Sequence, residues 1–187
     1  MMTLVMKFGG TSVGSAQAMR GTAVLIQQTQ RAWGQVVVVA SAMGSKPVKV
    51  TDLLLNGANA AATGDGELYR QHAEQIRQIH FEAIDGLLSP EKERQQVLAD
   101  NGTFIDRYEA LCKAVCVLGE LSPRALDAIG GMGEQMSVRI LAAYLRELGF
   151  NSEAIDATEL IVTDDNFQAA SPDFDATREK VEGRLRP

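Results

Sequence analysis

Four consecutive valines, Val36 to Val39, closed by Ala40, constrain this chain more than any other stretch of it. A half-buried strand alternates apolar and polar residues, so a run without alternation predicts a strand covered on both faces, as in a parallel sheet. Upstream stands a second short apolar run, Leu4 to Phe8, ended by Gly9 and Gly10, and a helix-like stretch from about Ser15 to Arg31 joins the two. The opening therefore reads strand, helix, strand with a right-handed crossover, the start of an α/β domain. The 187 residues, 45% apolar and 22% charged, suffice for one domain with an ordinary core and an elaborated subdomain.

Beyond the valines the chain is mostly helix. Gly44 to Lys49 reads as a loop, and Thr51 to about Ala62 has helical spacing in Leu54, Leu55 and Ala58. Leu68, His72, Ile76, Ile79, Ala83 and Leu87 recur at three and four, the pattern of a helix packed on one side. Ser89-Pro90 and Ser122-Pro123 each set a capping serine before a proline at the first helical position. Residues from approximately 64 to 132 are accordingly expected to form a helical insertion. Glu134 is expected to open a helix through Met136, Ile140, Ala143, Leu145 and Leu148, with Gly149 as its left-handed cap. A strand near Ser152 to Asp156 follows in this reading. A turn at Asp164-Asp165-Asn166 then precedes Phe167 to Ala170, and Asp175 caps a last helix reaching Leu185. The sequence stops at Arg186-Pro187, directly after that helix, where a strand-helix sheet usually continues with another strand.

Composition excludes several partners. With 24 acidic and 18 basic side chains the formal charge is -6, which repels nucleic acid and anionic membrane. No apolar run approaches the roughly 20 residues that span a bilayer. Met1 to Phe8 lacks a basic leader and a small-residue cleavage site, so it reads as a buried strand, and a cytoplasmic location is expected. Cys112 and Cys116, four apart, share a helix face and could geometrically supply half a metal site. Zinc normally takes three or four protein ligands, and no histidine or further cysteine lies near them, so buried apolar thiols and no metal site are expected.

The residues with chemical potential begin at Lys7-Phe8-Gly9-Gly10-Thr11-Ser12-Val13-Gly14, at the carboxyl end of the first strand, where open α/β sheets bind ligands. Adjacent glycines let the backbone approach an anion, N–H groups at the helix start favour negative charge, and Lys7 adds a full positive charge. The order is not that of the Walker loop, and the spacing is not that of the dinucleotide motif. Taken alone, a glycine pair after a strand is more often just a tight strand-to-helix turn, with Lys7 as a solvated strand-end charge. The complete string, in all eight positions, resembles the signature that opens aspartate kinases within the amino-acid kinase family. Two further segments, Val38-Val39-Ala40-Ser41-Ala42-Met43-Gly44 and Val50-Thr51-Asp52, are similar to that family's serine-alanine-methionine-glycine and valine-threonine-aspartate. Without the family, Ser41 is as well a turn residue and Thr51-Asp52 a helix cap. Gly133-Glu134-Gln135-Met136-Ser137 is similar to the family's glycine-glutamate-arginine segment, with Gln135 in place of arginine. By itself Glu134 could simply complement the helix dipole. Leu160 to Phe167 resembles the crossing toward the nucleotide half, with Gln168 where glycine is usual, and Thr163 and Asp164 carry over as structural.

The resemblance implies a three-layer α-β-α fold with a mainly parallel sheet, of which residues 1–187 form the amino-terminal part. The glycine-arginine-glycine-glycine-serine-aspartate loop, most of the nucleotide pocket and the regulatory ACT domains of aspartate kinases are absent from this sequence. The implied reaction transfers the terminal phosphoryl group of ATP, with Mg2+, to the side-chain carboxylate of L-aspartate, giving 4-phospho-L-aspartate for lysine, threonine and methionine synthesis. A carboxylate with a reference pKa of about 3.9 needs no general base, so His72 and His80 are expected outside the site. Catalysis would rest on alignment and charge neutralisation. Lys7 would stabilise the transferring group, with Phe8, Gly9 and Gly10 at the phosphates. Ser41 would sit near the reaction centre, and Thr51 with Glu134 would hold the backbone groups of aspartate. Alone, the chain is expected to be weakly active or inactive, and a homo-oligomer is compatible with it. Two other readings compete. One is an amino-acid kinase with a different carboxylate, carbamate or phosphate acceptor, against which Val50-Thr51-Asp52 and Gly133-Glu134 argue. The other is a noncatalytic amino-acid-binding or dimerising fragment.

Overall fold

Strands β1 (Thr3–Phe8) and β2 (Gln35–Ala40) run parallel, in register from Thr3 opposite Gln35 to Phe8 opposite Ala40. The structure, a computed structural model, describes residues 3–45, 47–89 and 92–185. Between the strands lie a single turn, α1 (Gly10–Val13), and α2 (Ala16–Trp33), whose cap Ser15 accepts the Ala18 N–H at 3.2 Å. Helix α2 buries Met19, Thr22, Ala23 and Ile26 and packs, with α7 (Met132–Glu147), on the sheet.

The α/β class stands, but the valines are less covered than their run predicts. Val5 and Val39 are 62% and 48% exposed, whereas Phe8 and Ala40 are buried, so one face of this two-stranded sheet is open among the described residues. The segment expected as a loop folds into a two-residue hairpin, β3 (Gly44–Ser45) with β4 (Val48–Lys49), and the Val50 N–H extends its ladder to the Met43 carbonyl at 3.0 Å. Two residues a side are too few to show a strand period in sequence.

Helices α3 (Val50–Ala62), α4 (Gly66–Leu87), α5 (Lys92–Leu118) and α6 (Pro123–Gly130) lead to α7. Leu54, Ile76, Ile84, Ile105, Met136 and Ile140 form the centre of the core that α3, α4, α5 and α7 share. Packing against both α3 and α5 turns the buried face of α4 toward Tyr69, Ala73, Ile76 and His80, and Leu68, His72 and Ile79 end half-buried. Ser122 caps α6 by accepting the Ala125 N–H at 3.2 Å, with proline next in line. Of the Ser89-Pro90 device, Pro90 lies outside the described residues, and the Ser89 hydroxyl donates to Glu147 at 2.7 Å.

Helix α7 opens at Met132, so Glu134 stands in its first turn rather than at its start. Gly149 takes the left-handed cap, φ 88°, its N–H donating to the Arg146 carbonyl at 2.9 Å. The strand expected at Ser152 to Asp156 does not form. A strand needs a ladder, and among the described residues β1 and β2 pair with each other alone; Asp156 instead caps a 3-10 turn, Ala157–Glu159, through the Thr158 N–H. The expected turn is present, with Asp164 accepting the N–H groups of Asn166 and Ser171 and Thr163 bridging Pro172. These contacts give Thr163 and Asp164 a structural part. The last helix, α8 (Phe174–Leu185), is capped by Asp173, which accepts from Asp175 and Ala176, two residues before the expected cap. Met1, Met2 and Arg186-Pro187 lie outside the described residues.

Among the described residues no helix is long and apolar enough to cross a membrane, and no group of three His, Cys, Asp or Glu residues could hold a metal ion. Cys112 is buried and Cys116 half-buried on α5, and burial pushes the Cys112 thiol up to about 11, far from the reactive thiolate.

Candidate active site

The parallel register sets Lys7 opposite Val39 and Phe8 opposite Ala40, so the loops leaving β1 and β2 emerge side by side. The Ser41 N–H donates to the Phe8 carbonyl at 3.1 Å, holding the start of the second loop against the first. Lys7 turns to the exposed face, with its ammonium over Gly9: a Cβ there would lie 3.8 Å from Nζ. It makes no ion pair among the described residues, which leaves its charge for a ligand.

The two loops touch through backbone. A Cβ at Gly14 would fall 2.9 Å from the carbonyl oxygens of both Gly10 and Gly44, closer than real Cβ contacts come. Glycine here permits loop-to-loop packing.

From the other side, the first turn of α7 closes on the same place. The Ala42 N–H donates to Glu134 Oε1 at 3.1 Å, and the Ser137 hydroxyl donates to the Ser41 carbonyl at 2.7 Å. Gly133 lets the helix come this near, since its Cβ would lie 2.6 Å from that of Ala42. Lys7, Phe8, Gly9, Gly10, Ser41 and Glu134 are thus brought together at the carboxyl ends of the two strands. Thr51, in the first turn of α3, is tied in less directly, through the hairpin and the Val50–Met43 bond. Its hydroxyl and that of Ser41 have no hydrogen-bond partner among the described residues. Gln135 reaches away, donating through Nε2 to Asp156, while its carbonyl accepts from Arg139 at 2.6 Å.

His72 and His80 are outside this junction, as expected. His72 Nδ1 faces the Leu53 carbonyl at 3.0 Å and His80 is fully buried in the helical layer. Sequence reasoning quoted Ser137 but gave it no part. Its only advance signal was the i, i+3 spacing that sets it on the Glu134 side of α7. A cleft of about 270 Å³ between α5, α7 and residues 153–154 contains none of the expected site residues. Its guanidinium and carboxylate groups largely satisfy one another, Arg146 pairing with Glu93, while Arg139 stacks over Phe104 at 4.6 Å.

A charged lysine over a glycine pair, bordered by free hydroxyls and a carboxylate, is a site shaped for an anion beside a small polar molecule. The chain belongs to the amino acid kinase family, which matches it over residues 2–185. It is 34% identical over 167 residues to aspartokinase 1, chloroplastic, of Arabidopsis thaliana, covering 87% of this chain and 27% of that protein. With lysine-sensitive aspartokinase 3 of Escherichia coli it shares 29% identity over 186 residues, 98% of this chain and 37% of that one. The crystal structure of E. coli aspartokinase III in complex with aspartate and ADP superposes with a TM-score of 0.82 at 26% identity, covering 100% of this chain and 38% of the other. The chain therefore spans between about a quarter and two fifths of the length of these relatives.

Proposed function

We propose that this chain carries the phosphate-loop and acceptor side of an aspartokinase, which transfers the terminal phosphoryl group of ATP to the side-chain carboxylate of L-aspartate. The observation that supports this most is the junction itself. Lys7 with its glycine pair, the Ser41 loop and Glu134, far apart in sequence, meet at the end of one parallel strand pair. The attacking carboxylate is ionised at neutral pH and asks for no base. What it asks for is a fixed distance to the phosphorus and relief from repulsion between two anions.

Lys7 meets the second need, its ammonium set over the loop where the γ-phosphoryl would lie, with N–H groups at Gly9 and Gly10 binding phosphate oxygens. Phe8, buried at the strand end, holds those glycines in place. Glu134 has one carboxylate oxygen engaged by Ala42 and the other free for the acceptor's ammonium, while Thr51 supplies a hydroxyl to its α-carboxylate. Ser41 stands between the two groups. Magnesium, which sheds water reluctantly and favours phosphate oxygens, would be held mainly through the nucleotide and would neutralise its charge. Because this chain covers only 27% and 37% of the two relatives' lengths, the rest of the nucleotide pocket is assigned to polypeptide beyond this chain, and turnover by these residues alone is not expected. A cytoplasmic location is part of the same reading, although the plant relatives are named chloroplastic.

The test takes the gene product from its source, establishes its intact mass, and follows aspartate-dependent ADP release together with trapping of the acyl phosphate by hydroxylamine. Both signals are expected from the intact protein. Lys7→Ala should lower turnover by roughly a hundredfold to a thousandfold, while the KM for aspartate changes less than about threefold, because this charge matters most as the phosphoryl group moves. Nucleotide binding without either signal would favour the noncatalytic reading, and unchanged turnover in Lys7→Ala would remove Lys7 from the mechanism.

A further inference from the structure

The Ser41 carbonyl and the Ala42 N–H are the two polar ends of one peptide unit, and both are taken by the first turn of α7. Ser137 Oγ donates to the carbonyl at 2.7 Å, and Glu134 Oε1 accepts the N–H at 3.1 Å. We infer that Ser137 is a positioning residue: with Glu134 it clamps the Ser41–Ala42 peptide plane and thereby fixes the loop that faces the reacting groups.

A buried helical serine ordinarily bonds back to a carbonyl three or four residues earlier. Ser137 does have that option, the Glu134 carbonyl at 3.2 Å. The hydroxyl has one proton, and the Ser41 carbonyl, 96 residues distant in sequence, is the nearer acceptor by half an ångström. Ser137 is also fully buried, so no water can stand in for it once it is gone. The Ser41 carbonyl is itself only half-buried, so losing its donor costs part of the desolvation penalty of a buried acceptor.

The geometry has a mechanical result. A peptide plane held at one end can rotate about the chain, but one held at both ends cannot. Rotation of this plane would swing the Ser41 side chain and displace Gly44, against which Gly10 and Gly14 pack. It would also release Glu134, whose second oxygen is assigned to the acceptor. Ser137 thus touches no reactant and acts through Ser41 and Glu134. Its kinetic role rests on the aspartokinase reading, whereas the clamp does not.

The experiment compares wild type, Ser137→Ala and Ser137→Thr in the intact protein, by hydrogen exchange of the peptide spanning 40–44 and by aspartate-dependent turnover. Alanine keeps the helix and removes the donor; threonine keeps the donor. Exchange in this peptide is expected to quicken roughly fivefold to tenfold in Ser137→Ala, the equivalent of one hydrogen bond, and to return toward wild type in Ser137→Thr. Turnover should fall about tenfold in Ser137→Ala with the aspartate KM changed less than about threefold, and recover with threonine. Should the alanine variant fail to fold, Ser137→Cys, which keeps the volume and weakens the donor, must show the same ordering. Exchange equal to wild type in a folded Ser137→Ala protein overturns the clamp. Faster exchange with undiminished turnover overturns the positioning role. A wild-type protein that turns over nothing defeats the aspartokinase reading, and the exchange rates then decide the clamp without it.

Discussion

At the strand ends the Ser41–Ala42 peptide has a partner for each of its polar atoms, whereas the layer of α4 and α5 buries two polar atoms, His80 Nε2 and Asn101 Oδ1, that have none among the described residues. His80 donates through Nδ1 to the Ile76 carbonyl at 2.7 Å, and Asn101 through its amide to Val97 at 3.0 Å, so each is satisfied on one side only. The two regions are held differently. Directional bonds set the junction, and a small displacement there breaks several at once. Apolar volume sets the helical layer, which tolerates a half-satisfied histidine because its neighbours Ile76, Ile84 and Ile105 carry the packing.

The sharpest way to break this contrast is pH. Burial holds the His80 imidazole down to about 4, against a smaller upward pull from its bond to Ile76. The unfolded chain binds that proton below its ordinary value near 6.5 and the folded chain does not until about 4, so stability is full above pH 6.5 and falls as pH drops toward 4. At 1.36 kcal/mol per unit, that span represents roughly 3 kcal/mol. In His80→Leu this part of the slope should vanish, and stability at pH 7 should change little, as measured by denaturant midpoints across the window. A His80→Leu protein several kcal/mol weaker at pH 7 would mean that His80 is held by a strong bond, and the contrast would fail.

Next comes Gly133→Ala. Its new methyl would meet Ala42 at 2.6 Å and Val50 at 3.3 Å, so a loss of roughly 2 kcal/mol is expected in thermal or chemical unfolding. An unperturbed variant would show the junction to be looser than its bonds suggest. The smallest effect belongs to Gln168, which adopts φ 69° and is held there by two bonds to Asp127, one from its N–H at 2.9 Å and one from its side-chain amide. Gln168→Ala keeps the strained backbone and loses the side-chain bond, so about 1 kcal/mol should disappear; Gln168→Gly relieves the backbone and should lose less. The reverse order would place the strain elsewhere.

What could be read in advance was local. The Ser122 cap, the Gly149 terminus and the turn at Asp164 each depend on residues within four positions, and the structure has them where the sequence puts them. The Lys7–Gly14 loop was legible because its whole string matched a known pattern. Ser152 to Asp156 looked like a strand because its local character permits one, but a strand exists only beside a partner, and none borders it among the described residues. Gln168 stood out as a departure from glycine; the positive φ that makes glycine usual there, and the Asp127 carboxylate that lets glutamine serve, are 41 residues apart in the chain and meet only on folding. Ser137 escaped for the same reason on a longer scale: nothing within its own helix tells that its hydroxyl answers a carbonyl 96 residues earlier.

The contact between Gly133 and Ala42 also bears on how this sequence can drift over generations. Between the two Cα atoms there is space for a single methyl group, which now belongs to residue 42. The clamped group at that position is backbone, which almost any residue supplies, so chemistry leaves position 42 open while volume closes it. Descendants should therefore inherit the pair as a joint allowance: alanine may pass from one position to the other if glycine passes back, and Ala42→Gly should rescue Gly133→Ala. Covariation of this kind, between sites 91 positions apart, would be the trace that a helix resting on a peptide leaves in a lineage.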